Sequence, residues 1–310
     1  MKRILVIRGG AIGDFVLTLP AIKLLRDAWP NARLEILGYK HIVALAKNRG
    51  YADETRSIEY GPLASFFAKG ADLPADLAEY FASFDLIVSY LFDPDGVFAS
   101  NLRRCAEMQI VSGPAKLTSH AHATQQLAAP QRILGLTDDV TPAQLYPTPD
   151  DHAAAALLLP REAGTLIAIH PGSGSSTKNW AIDNWDALLR RLASIGDVKL
   201  VVIGGEADTG QIAQLRDACA SFSVSLVVNQ PLTVVAAALA SCSAFVGHDS
   251  GISHIAAAVG SRCVLLFGPT DPAVWAPVAM NVRVLSRPTG LLASICVDEV
   301  ADAVRQTVTS

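Results

Sequence analysis

The sequence predicts an α/β fold built from two doubly wound parallel-sheet domains. Short apolar runs without polar alternation recur along the chain, as in parallel strands covered on both faces, and helix-length segments with apolar residues at helical spacing follow them. Three of these runs end in turns of small and polar residues, at 9–14, 170–178 and 247–251. Midway, residues 136–151 form a polar, helix-poor stretch crowded with Pro142, Pro147 and Pro149. That stretch predicts a linker, and with it domains of 1–150 and 151–310.

In the first half the β-branched run 4–7 is a strand. Gly9-Gly10-Ala11-Ile12-Gly13-Asp14 then leads into a helix over 15–28, where Pro20 predicts a kink or restart. A strand at 34–37, a helix at 41–48 and a strand at 57–60 come next. Residues 64–80 favour helix but are broken by Gly70 and Pro74. The run 86–90 (LIVSY) is a strand that opens into the turn-rich 91–96. A helix at 97–106, a strand at 109–112 and a helix at 121–134 complete the half.

The second half repeats the architecture without a sequence repeat. It predicts a helix at 151–159, a strand at 166–169, the loop 170–180 and a helix at 183–195 with Asp183 near its cap. A strand at 199–203 runs into Gly204-Gly205-Glu206, followed by helix 209–220, strand 226–228 and helix 234–240. A short strand then closes at Phe245-Val246, and a turn, a helix at 252–259 ended by Gly260 and the strand 263–267 (CVLLF) follow. The last amphipathic helix, 297–308, is one that can pack back on the first domain.

With 310 residues, 51% of them apolar and 17% charged, the chain is long enough for two cores and is not disordered. A net charge of −4 argues against nucleic acid as the main partner. The five cysteines (Cys105, Cys219, Cys242, Cys263, Cys296) are scattered, which reads as reduced thiols in a cytoplasmic protein. No His/Cys/Asp cluster has metal-ligand spacing, so no metal and no cofactor is expected. The N-terminal apolar run is too short for a signal peptide, and the charge-free stretch 218–247 is interrupted by Asn229-Gln230-Pro231 before it reaches membrane-span length.

The turns carry the chemistry. A small-residue turn at a helix start leaves backbone N–H groups unpaired where the helix dipole is positive, a setting that favours phosphate. The turn 247–251 with Asp249, Ser250 and Gly251 is one such place, although Asp249 or Ser250 can equally be a plain N-cap. The loop 170–180 is a second, with Ser173 and a cation at Lys178; it lacks the Walker spacing. Glu206, just past a strand end, can accept ribose hydroxyls or can serve as an ordinary acid at a helix start. Asp14 can take a proton from an attacking hydroxyl or can cap its helix. His254 can touch phosphate or can be a satisfied helix histidine. Arg8 stands where a dinucleotide fingerprint needs glycine, which argues against NAD.

These residues together resemble glycosyltransferase family 9, the ADP-heptose:lipopolysaccharide heptosyltransferases. The likeness rests on Ile12-Gly13-Asp14, His170-Pro171-Gly172-Ser173 with Lys178-Asn179-Trp180, Gly205-Glu206, Asp249-Ser250-Gly251-Ile252-Ser253-His254 and Phe267-Gly268-Pro269-Thr270-Asp271-Pro272. The resemblance implies a GT-B fold, two Rossmann-like domains facing across a cleft, with acceptor on the first and nucleotide-sugar on the second. It further implies inverting, metal-independent transfer of a sugar from an ADP-sugar to a glycan or glycolipid acceptor in the cytoplasm, at the inner membrane surface. In that scheme Asp14 is the general base, with Arg8 and Gly10 on the acceptor side. Lys178, Ser250 and Gly251 hold the diphosphate, Glu206 the ribose, His254 neighbours the nucleotide, and Ser173 and Asp249 belong to the same donor site. Arg8, Arg103, Arg104 and Lys116 are the candidate contacts for an anionic acceptor. The alternatives are a nucleotide-sugar epimerase on the same fold, which needs no acceptor, and a non-catalytic nucleotide or glycan sensor.

Overall fold

The computed structural model describes the chain apart from residues 115, 138, 163, 219–223 and 310, with the backbone alone described at 216–218. Cys219 and the end of the expected helix 209–220 lie outside the described residues. The chain divides into two units, Met1–Ala143 and Gln144–Ser310.

The first unit holds β1 (Arg3–Arg8), α1 (Ile12–Ala28), β2 (Arg33–Gly38), α2 (Lys40–Val43), β3 (Glu54–Ser57), α3 (Ala75–Ala82), β4 (Leu86–Ser89), α4 (Val97–Cys105), β5 (Gln109–Ser112) and α5 (Ala123–Ala128). Its sheet has the order β3-β2-β1-β4-β5, with every pairing parallel. Ile4, Leu5, Val6 and Ile7 of β1 are wholly buried, as expected of a central strand with helices on both faces. Pro20 does not restart α1, which runs as one helix of 17 residues with Pro20 buried in it. The expected helix 41–48 is shorter, because the chain turns after Val43 and Lys47 bridges back to Ala52. Within 64–80 a 3-10 helix (Gly61–Phe67) and α3 stand on either side of Gly70 and Pro74.

The second unit holds α6 (Pro149–Ala156), β6 (Thr165–His170), α7 (Ile182–Ala193), β7 (Val198–Gly204), α8 (Thr209–Ala218), β8 (Val224–Val228), α9 (Leu232–Ala240), β9 (Ala244–His248), α10 (Gly251–Ala258), β10 (Cys263–Phe267), α11 (Pro272–Trp275), β11 (Val282–Ser286) and α12 (Val297–Thr309). The parallel sheet runs β11-β10-β9-β6-β7-β8. Counted within the unit, this is the Rossmann order 3-2-1-4-5-6, whose direction reverses between β6 and β9. The corresponding reversal in the first unit falls between β1 and β4. Ligands of such sheets bind outside the carboxyl ends of the strands at this switch point.

The helices explain the packing. On α7, Trp185, Leu188, Leu189 and Leu192 recur at helical spacing and are all buried. They join Val300, Ala301, Ala303 and Val304 of α12 in the second unit's own core. Each fully buried leucine or valine among them contributes about 1.5–3 kcal/mol. The charge-free stretch is accounted for by β8, α9 and β9, and among the described residues no helix is long and apolar enough to cross a membrane.

Candidate active site

In the second unit, the register His170 with Gly247 brings the loops after β6 and β9 side by side at the switch point. Those two glycine- and serine-rich segments meet there, beside Thr270 of the loop after β10. The Lys178 ammonium lies 2.7 Å from Asp249 Oδ2, and the same oxygen accepts the Thr270 hydroxyl at 2.8 Å. Ser250 is the N-cap of α10, its hydroxyl accepting the Ser253 N–H. Gly251 is the first residue of α10, so the N–H groups of Gly251 and Ile252 lie at the open end of the helix.

His248 fixes the floor of this arrangement. Its Nε2 accepts the Trp180 N–H at 2.8 Å and its Nδ1 faces the Gly172 carbonyl at 3.3 Å, so the neutral ring carries its proton on Nδ1. It is fully buried and packs edge-on against Trp185. Burial lowers its pKa to about 4, against the hydrogen bond to Gly172. The ring thus ties loop 170–180 to β9 as an uncharged pillar.

The structure brings Lys178, Asp249, Ser250 and Gly251 together. Ser173 belongs to the loop's own bracing, with its hydroxyl 2.8 Å from the Ser175 carbonyl and 2.6 Å from Asn179 Oδ1. His254 is buried on α10, and Glu206 is exposed at the end of β7, on the same edge of the sheet as the turns. Sequence reasoning missed Asp208, three residues beyond Gly205. Its carboxylate is buried and lies 3.2 Å from His170 Nε2. Burial raises that carboxyl's pKa, but hydrogen bonds from His170 and the Gly205 N–H outweigh it and hold the group below the ordinary aspartate value.

In the first unit, Asp14 is the third residue of α1. Its Oδ2 accepts the Ala11 N–H at 3.2 Å, and its Oδ1 lies 3.5 Å from Arg8 Nη2. Ala11 has no side-chain acceptor, so the aspartate supplies half of a capping box and no more. The capping reading and an accessible carboxylate hold at once, since the Asp14 side chain is 37% exposed. Gly10 adopts φ +101°, and a Cβ there would stand 2.9 Å from Asp14 Oδ2. Arg8 is buried; it also donates to the Asp14 carbonyl at 3.3 Å and sits 5.8 Å from the Tyr90 ring centroid. Burial lowers the Arg8 pKa, while Asp14 and Tyr90 act in the opposite sense. Tyr90 in turn donates to the Leu127 carbonyl, and burial pushes its hydroxyl up to about 12.

Of the remaining basic candidates, Lys116 lies beyond β5 with its ammonium 5.7 Å from the Phe92 ring centroid, at the carboxyl-end edge. Arg103 and Arg104 fall in the last turn of α4, toward the amino ends of the strands. Arg104 is used there on the Ala71 carbonyl and Asn101 Oδ1. Those two arginines therefore stand at the opposite edge of the sheet from Asp14. Among the described residues no group of three or more His, Cys, Asp or Glu side chains is arranged to hold a metal ion.

Two Rossmann-like parallel sheets, each with its polar residues gathered at the switch point, define a two-domain α/β protein of the GT-B kind. Residues 111–300, more than half of the chain, match the model for glycosyltransferase family 9 (heptosyltransferase), and the chain belongs to that family. It is 26% identical over 174 residues to lipooligosaccharide heptosyltransferase 2 of Haemophilus influenzae, a match covering 51% of this chain. That match spans 49% of the relative's length, about half. In fold it is similar to the glycosyl transferase family 9 protein of Veillonella parvula, with a TM-score of 0.82 at 18% identity over 99% of this chain and 97% of that one. It is also similar to ADP-heptose LPS heptosyltransferase II of E. coli, with a TM-score of 0.81 at 18% identity over 100% and 99% of the two chains.

Proposed function

We propose that this chain is a glycosyltransferase that moves a sugar from a nucleoside diphosphate to a hydroxyl of a cell-envelope glycan. The donor is ADP-heptose and the acceptor a lipopolysaccharide core sugar, in line with what the relatives are named for. Transfer inverts the anomeric carbon and needs no metal. The observation that carries this reading is the pairing of Lys178 with Asp249 beside the open start of α10, at the switch point of the second sheet.

The chemistry follows from the residue types. As the acceptor oxygen attacks the anomeric carbon, Asp14 takes its proton and the bond from that carbon to the diphosphate breaks. Negative charge grows on the departing diphosphate. Lys178 and the N–H groups of Ser250 and Gly251 offset it, the role a metal ion plays elsewhere. Glu206 holds the ribose, and Ser173 and His254 complete the donor side. Arg8 and Gly10 serve the acceptor side through Asp14. A glycolipid acceptor places the work in the cytoplasm, at the inner membrane surface.

Titration of ADP, UDP and GDP by calorimetry tests the donor side, with ADP expected to bind tightest. Incubation of ADP-heptose with a lipopolysaccharide core acceptor, with and without EDTA, tests the rest. The expected product has the anomeric configuration opposite to the donor, at a rate EDTA leaves unchanged. A changed sugar nucleotide formed without acceptor would instead indicate an epimerase. Binding of no nucleotide would remove the donor site.

A further inference from the structure

Asp208, His170 and Ser250 lie 38 and 80 residues apart in the chain, yet form one buried line across three strand ends. Asp208 Oδ2 accepts the Gly205 N–H at 2.9 Å and stands 3.2 Å from His170 Nε2, while His170 Nδ1 stands 3.3 Å from the Ser250 hydroxyl. All three residues are more than nine-tenths buried. A Cβ on Gly172 would fall 1.7 Å from Asp208 Oδ1, so glycine at that position is what admits the carboxylate behind loop 170–180.

The direction of each hydrogen bond follows from the donors available. The Asp208 carboxyl, held below its ordinary range, is ionised and accepts only, so His170 Nε2 carries the proton between them. In the neutral ring Nδ1 is then the acceptor. The Ser250 O–H donates to it, and a Ser250 lone pair accepts the Ser253 N–H at 3.4 Å, while the Ser253 hydroxyl 3.2 Å away gives its own proton to the His248 carbonyl. The proton a serine would otherwise offer to a phosphate is already committed.

We propose that Asp208 and His170 are positioning residues of the diphosphate site: they hold the Ser250 hydroxyl as the cap of α10, so that backbone N–H groups, not that hydroxyl, meet the phosphate oxygens. This rests on the nucleoside-diphosphate reading given above. Neither residue touches the reacting atoms; both act through Ser250.

A double-mutant cycle in the full chain tests it, with ADP as the probe in calorimetry. Asp208→Ala is expected to weaken ADP about tenfold in the wild-type background and not at all once Ser250→Ala is present. Asp208→Asn, whose amide oxygen can keep both hydrogen bonds of Oδ2, is expected to restore affinity. His170→Asn enters the same cycle should Asp208→Ala fail to fold. Additive losses overturn the proposal. So does a loss in Ser250→Ala without one in Asp208→Ala, because the hydroxyl would then act on the ligand directly. Nitrogen-15 NMR of the unliganded protein gives a readout free of any nucleotide. His170 is expected to be protonated on Nε2 and bare on Nδ1, and the opposite tautomer overturns the relay alone. A wild-type chain that binds none of ADP, UDP and GDP overturns the diphosphate reading, and the relay with it.

Discussion

Replacing Gly10 by alanine tests the geometry at Asp14 in one step. The residue sits at φ +101°, where a non-glycine side chain costs about 1–3 kcal/mol. The new Cβ would stand 2.9 Å from Asp14 Oδ2 and drive the carboxylate off the Ala11 N–H, a helix cap whose loss costs about 0.5–2 kcal/mol. A stiffer unfolded chain offsets under about 1 kcal/mol of this. The net is a destabilisation of about 2 kcal/mol, or roughly 6 °C in the melting temperature of a unit of this size. Gly9→Ala is the internal control, because its Cβ would meet Leu91 at an ordinary 3.5 Å and its φ is not positive. That variant is expected within about 0.5 kcal/mol of wild type. Calorimetric melts of both variants, with sugar transfer measured beside them, separate the two effects. A carboxylate displaced by about 1 Å is expected to lower turnover about 100-fold in Gly10→Ala. Equal melting of the two variants, or wild-type transfer by Gly10→Ala, would refute the claim that the missing Cβ is what seats Asp14.

Asp14→Asn is expected to abolish transfer while ADP affinity, read by calorimetry, stays near wild type; surviving turnover excludes Asp14 as the base. Lys178→Ala is expected to weaken ADP about tenfold or more through loss of a charge-assisted contact, and an unchanged titration removes the lysine from the site. His248 has a folded pKa of about 4 against an ordinary 6.5, so its contribution is present above pH 6.5 and is lost as pH falls toward 4. Unfolding free energies from urea titrations at pH 7 and 4.5 are expected to differ by about 2 kcal/mol more in wild type than in His248→Gln, and equal differences count against a neutral buried ring.

The parts of the fold that were legible are those where burial is uniform. CVLLF of β10 is apolar and buried throughout, and both its ends follow from the run alone; β4 is buried throughout too, but the run LIVSY carries the expected strand one residue past its end at Ser89. The larger misreadings fall at sheet edges. β11 (VRVLS) went unread because Arg283 and its half-exposed neighbours give no continuous apolar run. β3 (ETRS) was placed three residues late for the same reason. In the site, the small-residue turns announced themselves through composition. The Asp208–His170–Ser250 line did not, because it exists only once parallel register sets β6 beside both β7 and β9. A buried carboxylate three residues after a diglycine looks like any other helix-start acid until its histidine is placed against it.

The two units each hold a cation against a carboxylate at the switch point, and the difference between the pairs assigns them different work. Lys178 is 29% exposed on a flexible stem, so an arriving phosphate can draw its ammonium away from Asp249 with little loss of packing. Asp249 is not orphaned when that happens, because the Thr270 hydroxyl remains bonded to the same oxygen. Arg8 has no such freedom. Its side chain is 9% exposed, lies against Tyr90 and is bonded to the Asp14 main chain, so reaching for a ligand would strip it of every partner it has beside that ring. The lysine is therefore built to change partners and the arginine to keep one. Under the proposed function Arg8 would then orient the carboxylate that receives the acceptor's proton, and charge recognition of an anionic acceptor would fall to exposed cations at the same edge of the sheet, among them Lys40 just past β2 and Lys116 beside Phe92.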